Sequence, residues 1–418
     1  MSTAGRGPSP IRWRVTAFLG LAAAVNFADR SAFNAVLAPL QAELHLSNVR
    51  LGLLASLFLW SYALASPLAG NLADRFSRSA MVAWSLAFWS VCTLLTGVAG
   101  GLAFLCLLRI GLGLGESIFS PAAFALVADH HGPATRGRAM SLLSLAFQAG
   151  IVAGAGGAGY LAEHYGWRSG FYVLGLGGVA LSFATRWFVA DRSPERARAP
   201  ARASAAQAFR YLATVPCFYV MMLKQLLSEM GTWVLLTWLP LLLYETYHLK
   251  LGAAGFTGTI MLSGALVLGM ALGGWLFDWV GRRRPGQRML VLGLYYLAAA
   301  PFPLVFLLQP SFSTVVVAVS LCSLIRGMAT AAERPLLCEF IPAGLRSTVF
   351  GCYNGIANVG GAAGVFVTGW VKSGFGLSGV FAALAAVYFV AALALWIGHR
   401  FFLARDVLRS QAFAEITA

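Results

Sequence analysis

Residues 70–78 read Gly-Asn-Leu-Ala-Asp-Arg-Phe-Ser-Arg, and residues 274–282 read Gly-Trp-Leu-Phe-Asp-Trp-Val-Gly-Arg. The two segments share Gly, Leu, Asp and Arg at the same four positions, at an offset of 204 residues. Each segment follows one long apolar stretch and precedes another. This recurrence predicts an internal duplication, in which each half of the chain carries the same series of apolar segments and loops.

The composition is that of an integral membrane protein. Of 418 residues, 59% are hydrophobic and 11% are charged, with a mean hydropathy of +0.75, whereas soluble domains carry about 25% charged residues. A membrane-spanning helix needs about 20 apolar residues. The sequence therefore predicts an all-α membrane protein with twelve transmembrane helices, at residues 13–38, 50–72, 79–99, 103–127, 137–160, 168–189, 217–243, 253–277, 287–308, 313–338, 347–371 and 377–402.

The polar segment 191–215, which begins Asp-Arg-Ser-Pro-Glu-Arg, interrupts this pattern and predicts a cytoplasmic linker. It separates an N-terminal six-helix lobe, residues 1–190, from a C-terminal six-helix lobe, residues 216–418. We therefore expect two pseudo-symmetric lobes. Parallel six-helix repeats are typical of secondary transporters, in which the substrate site lies where the repeats meet.

Two further matches support the duplication. Arg109 and Glu116 in predicted helix 4 recur, with the same spacing of seven, as Arg326 and Glu333 in predicted helix 10. Arg136 before predicted helix 5 matches a second arginine, Arg346, before predicted helix 11. The two matches imply offsets of 217 and 210 residues, and loops of different length in the two halves would produce such a difference.

The net charge of +15 follows the predicted topology. Most of the 30 Lys and Arg residues fall in the loops on one side of the twelve helices, which the positive-inside rule places in the cytoplasm. We therefore expect a multi-pass protein of the inner (plasma) membrane, in contact with the lipid bilayer, with both termini cytoplasmic. Because the charges are spread over many short loops and not over one face, nucleic acid is not an expected partner.

The residues that catalysis or metal binding would need do not form recognisable patterns. The six cysteines include no Cys-x-x-Cys pair, and all six histidines fall in predicted loops or at helix ends. The sequence contains no Ser-His-Asp set, His-Glu-x-x-His or P-loop. We expect no enzyme activity, no metal and no cofactor other than a proton gradient, and we expect a monomer.

The Gly-x-Leu-x-Asp-Arg-x-x-Arg loop resembles the signature of the major facilitator superfamily, and the resemblance covers essentially the whole chain. Within that superfamily, Asn26-Phe-Ala-Asp29-Arg30 and Arg109-Ile-Gly-Leu-Gly-Leu-Gly-Glu116 resemble the anion:cation symporters, which include sugar-acid and sialin-type carriers. The same motifs occur in Spinster-like lipid transporters. The Gly-Pro signature of proton-coupled drug exporters is absent from residues 150–159, which disfavours that third alternative.

The most informative charges are Asp29 and Arg30, which lie side by side within the first apolar segment. Charges at membrane depth are costly and mark functional sites by default. We expect Arg30 to bind the carboxylate of an organic anion and Asp29 and Glu116 to carry protons, while Arg109 holds a deprotonated Glu116 or Asp29. The alternative is a set of structural ion pairs that fix predicted helix 1 to predicted helix 4.

Polar side chains in predicted helices 5 and 11 are candidates for binding a hydroxylated substrate. The offset of 210 pairs Gln148 with Asn358, and Ser144 with Asn354. Tyr62 and Tyr353 are candidate lining residues. Interhelical hydrogen bonding and aromatic packing are the alternative functions for these side chains.

Glu333 and Arg334 in predicted helix 10 form a second adjacent acid–base pair, and we expect Glu333 to contribute to proton coupling or to a gate. Lys224 in predicted helix 7 is expected to extend to the cytoplasmic surface. Because predicted helix 7 has no Asp-Arg pair, we expect the N-terminal lobe to supply the charged half of the site and the C-terminal lobe mainly amides.

The repeated loops are expected to gate the transporter. Their charged residues would hold neighbouring helices together at the cytoplasmic side in one state and release them in the other. The residues are Asp74, Arg75, Arg78, Asp278 and Arg282. The sequence thus predicts a symporter that moves a small organic anion, such as a sugar acid, with protons by alternating access; the alternatives are a lysolipid or sphingolipid carrier and a drug exporter.

Overall fold

The structure is a computed structural model that describes residues 10–75, 77–189, 210–342 and 345–417. The predicted linker 191–215 lies largely outside these ranges. In the described ranges the chain forms helices joined by short connections. They are α1 Pro10–Ala35, α2 Leu37–Glu43, α3 Asn48–Arg75, α4 Arg78–Thr96, α5 Leu102–His130, α6 Pro133–Tyr165, α7 Arg168–Phe188, α8 Pro216–Tyr247, α9 Leu251–Arg283, α10 Arg288–Ala299, α11 Phe312–Phe340, α12 Arg346–Ile397 and α13 Leu403–Thr417.

Each of the twelve predicted spans overlaps one of these helices. Within the described ranges, nine helical segments are long and apolar enough to cross a membrane. One of them, Val349–Ala412, contains the last two predicted spans, and α1 and α7 cover the first and sixth. The twelve-helix fold is therefore confirmed.

A glycine separates the last two spans, and prolines break another span. The helix α12 is interrupted at Gly376, whose φ of 65° and ψ of 171° lie in a region that side chains with a Cβ rarely adopt. Residues 287–308 were expected as one helix, but α10 ends at Ala299 and a 3₁₀ helix, Phe302–Leu308, follows. Pro301 and Pro303 lack the N–H groups that would continue the α-helical hydrogen bonds.

The chain divides into two compact units. The first unit comprises Met1–Arg196 and Leu243–Thr259, and the second comprises Ala197–Leu242 and Ile260–Ala418. In the first unit, α1 packs on α6, α3 packs on α5, and α4 packs on α5 and α7. In the second unit, α10 packs on α11 and α12.

Glycines allow the closest helix contact in the first unit. A Cβ at Gly150 would meet the backbone of Ala24, and a Cβ at Gly154 would meet the backbone of Ala28. The two glycines are four residues apart on α6 and therefore lie on one face of that helix. Their lack of side chains lets α6 approach α1 at backbone distance.

The second unit repeats this contact. A Cβ at Gly360 would meet the backbone of Leu226, and a Cβ at Gly364 would meet Met230. These glycines on α12 follow those on α6 by 210 residues, and their partners on α8 follow those on α1 by 202 residues. The structure thus gives a residue-by-residue correspondence between α1 and α8, and between α6 and α12.

Helix bounds give the same offset of 210 for the other pairs. The helix α5 starts at Leu102 and α11 at Phe312, and each has 29 residues. The helix α4 starts at Arg78 and α10 at Arg288. The sequence-based match of helix 4 with helix 10 at an offset of 217 is therefore wrong by seven residues, which is about two helical turns.

Candidate functional site

Four ionisable side chains from α1 and α5 form a buried group in the first unit, which we call the unit-1 cluster. Its members are Asp29, Arg30, Arg109 and Glu116, and each is 6% exposed or less. The central contact is an ion pair in which Arg30 Nε donates to Glu116 Oε2 at 2.6 Å. With two acids and two bases, the cluster is formally neutral when all four are charged.

Arg30 is held on several sides. Its Nη2 donates to Asn26 Oδ1 at 3.2 Å. Its Cζ lies 4.4 Å from the ring centre of Phe27, 4.8 Å from that of Phe58 and 4.9 Å from that of Tyr62. Three aromatic faces stabilise the guanidinium without neutralising it. Tyr62, a predicted substrate-binding residue, thus contacts the proposed anion anchor directly.

Asp29 and Arg109, the other two members of the unit-1 cluster, have hydrogen-bond partners outside the Arg30–Glu116 ion pair. Asp29 Oδ2 accepts a hydrogen bond from Thr93 Oγ1 on α4 at 3.1 Å. Its Oδ1 is buried without a hydrogen-bond partner in the described part of the chain. Arg109 donates to the carbonyl of Ala55 at 3.4 Å and lies 4.1 Å from the ring centre of Phe33. The hydrogen-bonded partner of Glu116 is thus Arg30, whereas the sequence-based hypothesis expected Arg109 to hold either Glu116 or Asp29.

A second group, the Lys224 cluster, lies in the second unit. Lys224 on α8 is 0% exposed, so the expectation that it extends to the surface is wrong. Its Nζ donates to Glu333 Oε1, to Tyr353 OH at 2.6 Å and to Gln225 Oε1 at 2.9 Å. Tyr296 OH lies 3.5 Å from Nζ and 3.0 Å from Glu333 Oε1.

This cluster corrects two expectations. The partner of Glu333 is Lys224 and not its neighbour Arg334, which is exposed. The second unit also has a charged group of its own, because Arg326 and Glu229 lie close to the Lys224–Glu333 pair and interact with it electrostatically. It therefore offers more than amides. Adjacent residues on a helix point about 100° apart, so sequence neighbours seldom share a partner.

In the repeat, Arg326 does not occupy the position that is equivalent to Arg109. At an offset of 210, Arg326 corresponds to Glu116, and at an offset of 202, Thr232 corresponds to Arg30. Arg326 Nη2 donates to Thr232 Oγ1. The hydrogen bond between Arg326 and Thr232 thus occupies the place of the Arg30–Glu116 ion pair.

The predicted polar residues on α6 and α12 have different environments. Gln148 is half-buried and Asn354 is exposed. Asn358 is buried, and its Nδ2 donates to the carbonyl of Asn354 at 2.8 Å, which leaves its Oδ1 as an acceptor. Tyr353, next to Asn354, belongs to the Lys224 cluster.

One expected gating residue, Arg78, belongs to the first of two ion pairs that are equivalent by the repeat. Arg78 Nη1 lies 2.5 Å from Asp129 Oδ2, and Arg288 Nη1 lies 2.5 Å from Glu339 Oε1. Each pair joins the start of one helix to the end of the next, and both residues are offset by 210. The residue equivalent to Arg78 in the second unit is therefore Arg288, whereas the sequence comparison had matched Arg78 with Arg282.

The structure gives no ion pair for the other expected gating residues among the side chains that it describes. Arg282 belongs to α9, and Asp278 and Arg282 are exposed. The longer loop after Arg282, which includes Pro285 and Gly286, shifts the register of the second unit. The side chains of Asp74 and Arg75 lie outside those that the structure describes.

Two units that repeat each other in sequence and packing, each with an ionic cluster in its helices, define a membrane transporter. The chain belongs to the Major Facilitator Superfamily, whose family model matches residues 19–303. It is therefore a transporter and not an enzyme.

Relatives with named activities match about two thirds of the chain. An MFS-type efflux pump of Mycolicibacterium smegmatis is 27% identical over 290 residues, covering 69% of this chain and 68% of the relative. A probable L-galactonate transporter of Escherichia coli K12 is 29% identical over 287 residues, covering 64% of this chain and 62% of the relative. The chain thus matches about two thirds of the length of these relatives.

A solved structure has the same fold. The crystal structure of a bacterial homologue of the human lysosomal transporter Spinster, in an inward-facing and occupied conformation, has a TM-score of 0.78 with this chain. The match covers 96% of this chain and 99% of the other, at 20% sequence identity. At that identity the likeness concerns the fold alone.

Proposed function

We propose that this protein is a secondary active transporter that moves a small organic anion, such as a sugar acid, together with protons by alternating access. The observation that carries the proposal is the buried Arg30–Glu116 ion pair at 2.6 Å within the neutral unit-1 cluster. Replacing both members of a buried ion pair by packed apolar side chains is often neutral or stabilising, so stability alone is a weak reason for such a pair. The name of one relative, a probable L-galactonate transporter, supports a sugar acid as the class of substrate.

Substrate binding is an exchange of carboxylates on Arg30. The guanidinium has five N–H donors, and its contacts with Glu116 and Asn26 use only part of them. The aromatic faces of Phe27, Phe58 and Tyr62 keep the guanidinium in place when Glu116 leaves. The substrate carboxylate then takes the charge-assisted hydrogen bond that Glu116 makes in this structure.

Charge balance couples this exchange to protons. A monoanion added to the neutral unit-1 cluster would leave one uncompensated negative charge in a buried site, which is costly. Protonation of Glu116 or Asp29 restores neutrality. Asp29 is suited to accept a proton because its Oδ1 is buried without a hydrogen-bond partner among the described residues.

Alternating access needs contacts that form in one state and break in the other. We assign this role to the cytoplasmic charges of the repeated loops: Asp74, Arg75 and Arg78 in the first unit, and Asp278 and Arg282 in the second. The exposed ion pair between Arg78 and Asp129, at 2.5 Å, supports the assignment for Arg78.

Uptake in proteoliposomes tests the proposal. We expect Glu116→Gln to abolish accumulation of D-galactonate driven by an inward proton gradient, because glutamine cannot release a proton. Exchange of external for internal substrate needs no net proton movement and should persist. Accumulation by Glu116→Gln at the wild-type rate, with the wild-type pH dependence, would contradict the proposal.

Glu43→Gln is the matched control. Glu43 also forms an ion pair with an arginine, with Arg168 Nη1 at 2.6 Å, but it lies at the end of α2 and its side chain is 45% exposed. We expect this variant to accumulate substrate with normal gradient dependence. A loss equal to that of Glu116→Gln would show that removal of any such carboxylate impairs the protein.

An apolar groove in the second unit favours a second candidate, a carrier of lysolipids or sphingolipids. The groove lies between α8 and α12, and Thr368 is its one hydroxyl-bearing residue in the described chain. It is lined by Met230, Val234, Gly364, Val367, Thr368, Val371, Phe375, Gly379, Val380, Ala383, Leu384 and Val387. Such a lining fits an acyl chain.

Thermal-shift measurements separate the candidates, because a ligand stabilises the state that it binds. Stabilisation by D-galactonate but not by lysophosphatidylcholine supports the anion carrier, and the reverse result supports the lipid carrier. The drug-exporter alternative is suggested by the name of the mycolicibacterial relative. Ethidium efflux from the same proteoliposomes tests it.

A further inference from the structure

The Lys224 cluster is a buried charged group that the proposed exchange on Arg30 does not use. Lys224 has three N–H donors and no acceptor, and all are directed at oxygen atoms of Gln225, Glu333 and Tyr353, with Tyr296 at longer distance. Glu333 accepts on Oε1 from both Lys224 and Tyr296. The arrangement is a lysine in a ring of oxygen atoms, one of which is a carboxylate.

The first unit shows that the fold does not require these charges. By the offsets of 202 and 210, the cluster corresponds to five apolar residues, all 0% exposed. Lys224 and Gln225 correspond to Ala22 and Ala23, Tyr296 to Leu86, Glu333 to Ala123 and Tyr353 to Leu143. The same place in the repeat is therefore filled by packed apolar side chains in one unit and by an ionic cluster in the other.

An ion pair in this place has no evident advantage for stability. Replacing a buried ion pair by packed apolar side chains is often neutral or stabilising, and the first unit has that packing. A buried charge that the fold does not need is a functional site by default in a membrane protein.

We propose that Lys224 is the cation of a second carboxylate-binding site, within the second unit, which the transported organic anion occupies at a different stage of transport from its binding to Arg30. Glu333 holds Lys224 until the carboxylate of that anion replaces it. This inference rests on the proposed function, because it assumes that the substrate is a carboxylate. The step moves one proton: Glu333 takes up H⁺ from water as it leaves Lys224, and the substrate carboxylate restores the charge balance. The hydroxyl of Tyr353 is placed to donate to the bound anion.

The exposure of the cluster indicates how an anion reaches it. Lys224 is fully buried, whereas Glu333 and Tyr353 are each 6% exposed. Asn354, next to Tyr353 on α12, is exposed, and Asn358 lies one turn further along. An anion therefore approaches past Glu333 and Tyr353, where the two amides can bind hydroxyl groups of a sugar acid.

A group of ionisable residues from four helices surrounds Glu333. The group comprises Lys224 and Glu229 on α8, Tyr296 on α10, Arg326 on α11 and Tyr353 on α12. Since anion binding requires the protonated form, we expect the affinity of this site to fall as pH rises.

The decisive variant is the double replacement Lys224→Met with Glu333→Gln, which removes both charges and keeps similar volumes. We expect a folded protein whose affinity for D-galactonate, D-gluconate or D-glucarate falls by about ten- to a hundredfold, because a charge-assisted hydrogen bond is lost. Microscale thermophoresis on purified protein measures the affinity. Wild-type affinity in this folded variant would overturn the proposal, since a purely structural pair predicts that result.

The single variant Glu333→Gln gives a second, independent readout. It mimics the protonated glutamic acid and leaves Lys224 without its carboxylate partner. We expect a lower melting temperature without ligand, and a larger upward shift on addition of D-galactonate than in the wild type, because the anion replaces the missing charge. A shift equal to or smaller than that of the wild type would contradict the proposal.

A charge-neutral replacement of another ion pair is the control. Glu43→Gln with Arg168→Met removes an arginine–glutamate pair from the first unit, outside both clusters, and should leave affinity unchanged. If the wild type binds none of the three sugar acids, the proposed function fails along with this inference. If it binds them and the Lys224→Met, Glu333→Gln variant binds equally well, only the Lys224 site is disproved.

Discussion

Asp29 and Arg30 are neighbours in sequence, but each forms a hydrogen bond with a different helix. Successive residues on an α-helix point about 100° apart, and here Asp29 accepts from Thr93 on α4 while Arg30 donates to Glu116 on α5. The two charges therefore stabilise each other less than each is stabilised by its own partner. This geometry allows one residue to bind an anion while the other exchanges a proton.

Arg30→Lys tests whether the shape of the guanidinium matters beyond its charge. Lysine keeps the positive charge but cannot donate from Nε and Nη2 together to Glu116 and Asn26. We expect the KM for D-galactonate uptake to rise by about tenfold or more. Arg50→Lys, at an exposed arginine, should leave KM unchanged. Equal KM values for the two variants would mean that charge alone suffices at residue 30.

Candidate site residues could be predicted from the sequence where a charged side chain lies within an apolar helix, because such a charge is costly in the membrane. Asp29, Arg30 and Glu116 are conspicuous because charges interrupt apolar helices, and the structure brings Arg30 and Glu116 together. Lys224 was misjudged because a lysine near a helix end usually reaches the surface. Only the fold shows that Glu333, 109 residues away, lies beside it. Sequence spacing carries no signal for a contact of that separation.

At the scale of helices, the two glycine pairs on α6 and α12 decide how closely the repeats pack. The sequence showed that both helices are rich in glycine, and the offset of 210 predicted which residues correspond. It could not show which face meets a neighbour. The offset of 217 failed because identical charged residues on α5 and α11 were matched by type, although their partners differ.

Gly150→Val is expected to disrupt the contact of α6 with α1. The new side chain would collide with the backbone of Ala24, so one of the two helices would have to shift. We expect the free energy of unfolding to fall by about 1–3 kcal/mol or more, with a lower melting temperature in detergent. Gly157→Val on the same helix is the control, because a Cβ there meets no heavy atom within 4 Å. Similar melting temperatures for both variants would refute the packing role of Gly150.

The contact between α2 and α7 is expected to depend on pH. Glu43 Oε2 accepts from Trp167 Nε1 at 2.6 Å and from Arg168 Nη1 at 2.8 Å, and these hydrogen bonds lower the pKa of Glu43 below its ordinary value of 4.5. A lowered pKa stabilises the fold above the ordinary value, and that contribution is lost as pH falls through the pKa of the folded state. Glu43→Gln should therefore melt at a lower temperature than the wild type near neutral pH.

The test is the difference in melting temperature between the wild type and Glu43→Gln, measured as a function of pH. It should be constant from pH 8 to about 5.5 and should shrink below about pH 4.5, as the wild-type carboxylate is protonated. A difference that persists unchanged to pH 3 would show that Glu43 acts through packing and not through its charge.

At the scale of the whole chain, the two units share a backbone plan but differ in where charge is buried. The first unit places an ion pair where the second has Arg326 and Thr232. The second unit places Lys224 and Glu333 where the first is apolar. The duplication and the twelve helices follow from hydropathy and repeated loops, because those signals are local. The distribution of charge between the units follows from side-chain partners, which only folding defines.

Asp74→Asn tests the gating role of the repeated loops. If Asp74 helps to hold the cytoplasmic ends of helices in one state, its neutral replacement should shift the balance between states and slow transport by about tenfold. Uptake rate and the labelling of cysteines placed on the cytoplasmic side, measured together, report both effects. Asp278→Asn should act in the same direction. Unchanged uptake and labelling in both variants would exclude the role.

The burial of Lys224 has a consequence for how the protein is made. Its partner Glu333 follows it by 109 residues, and at about 5–20 residues per second of synthesis that partner emerges roughly 5–20 s later. Until then α8 enters the bilayer with an unpaired ammonium group, which costs about 2.5–3.5 kcal/mol on insertion scales. The apolar residues of α8, a helix whose span has a mean hydropathy of 1.5, must outweigh that cost alone. The order of translation thus sets a minimum apolar character for α8 that its role in the finished protein does not require.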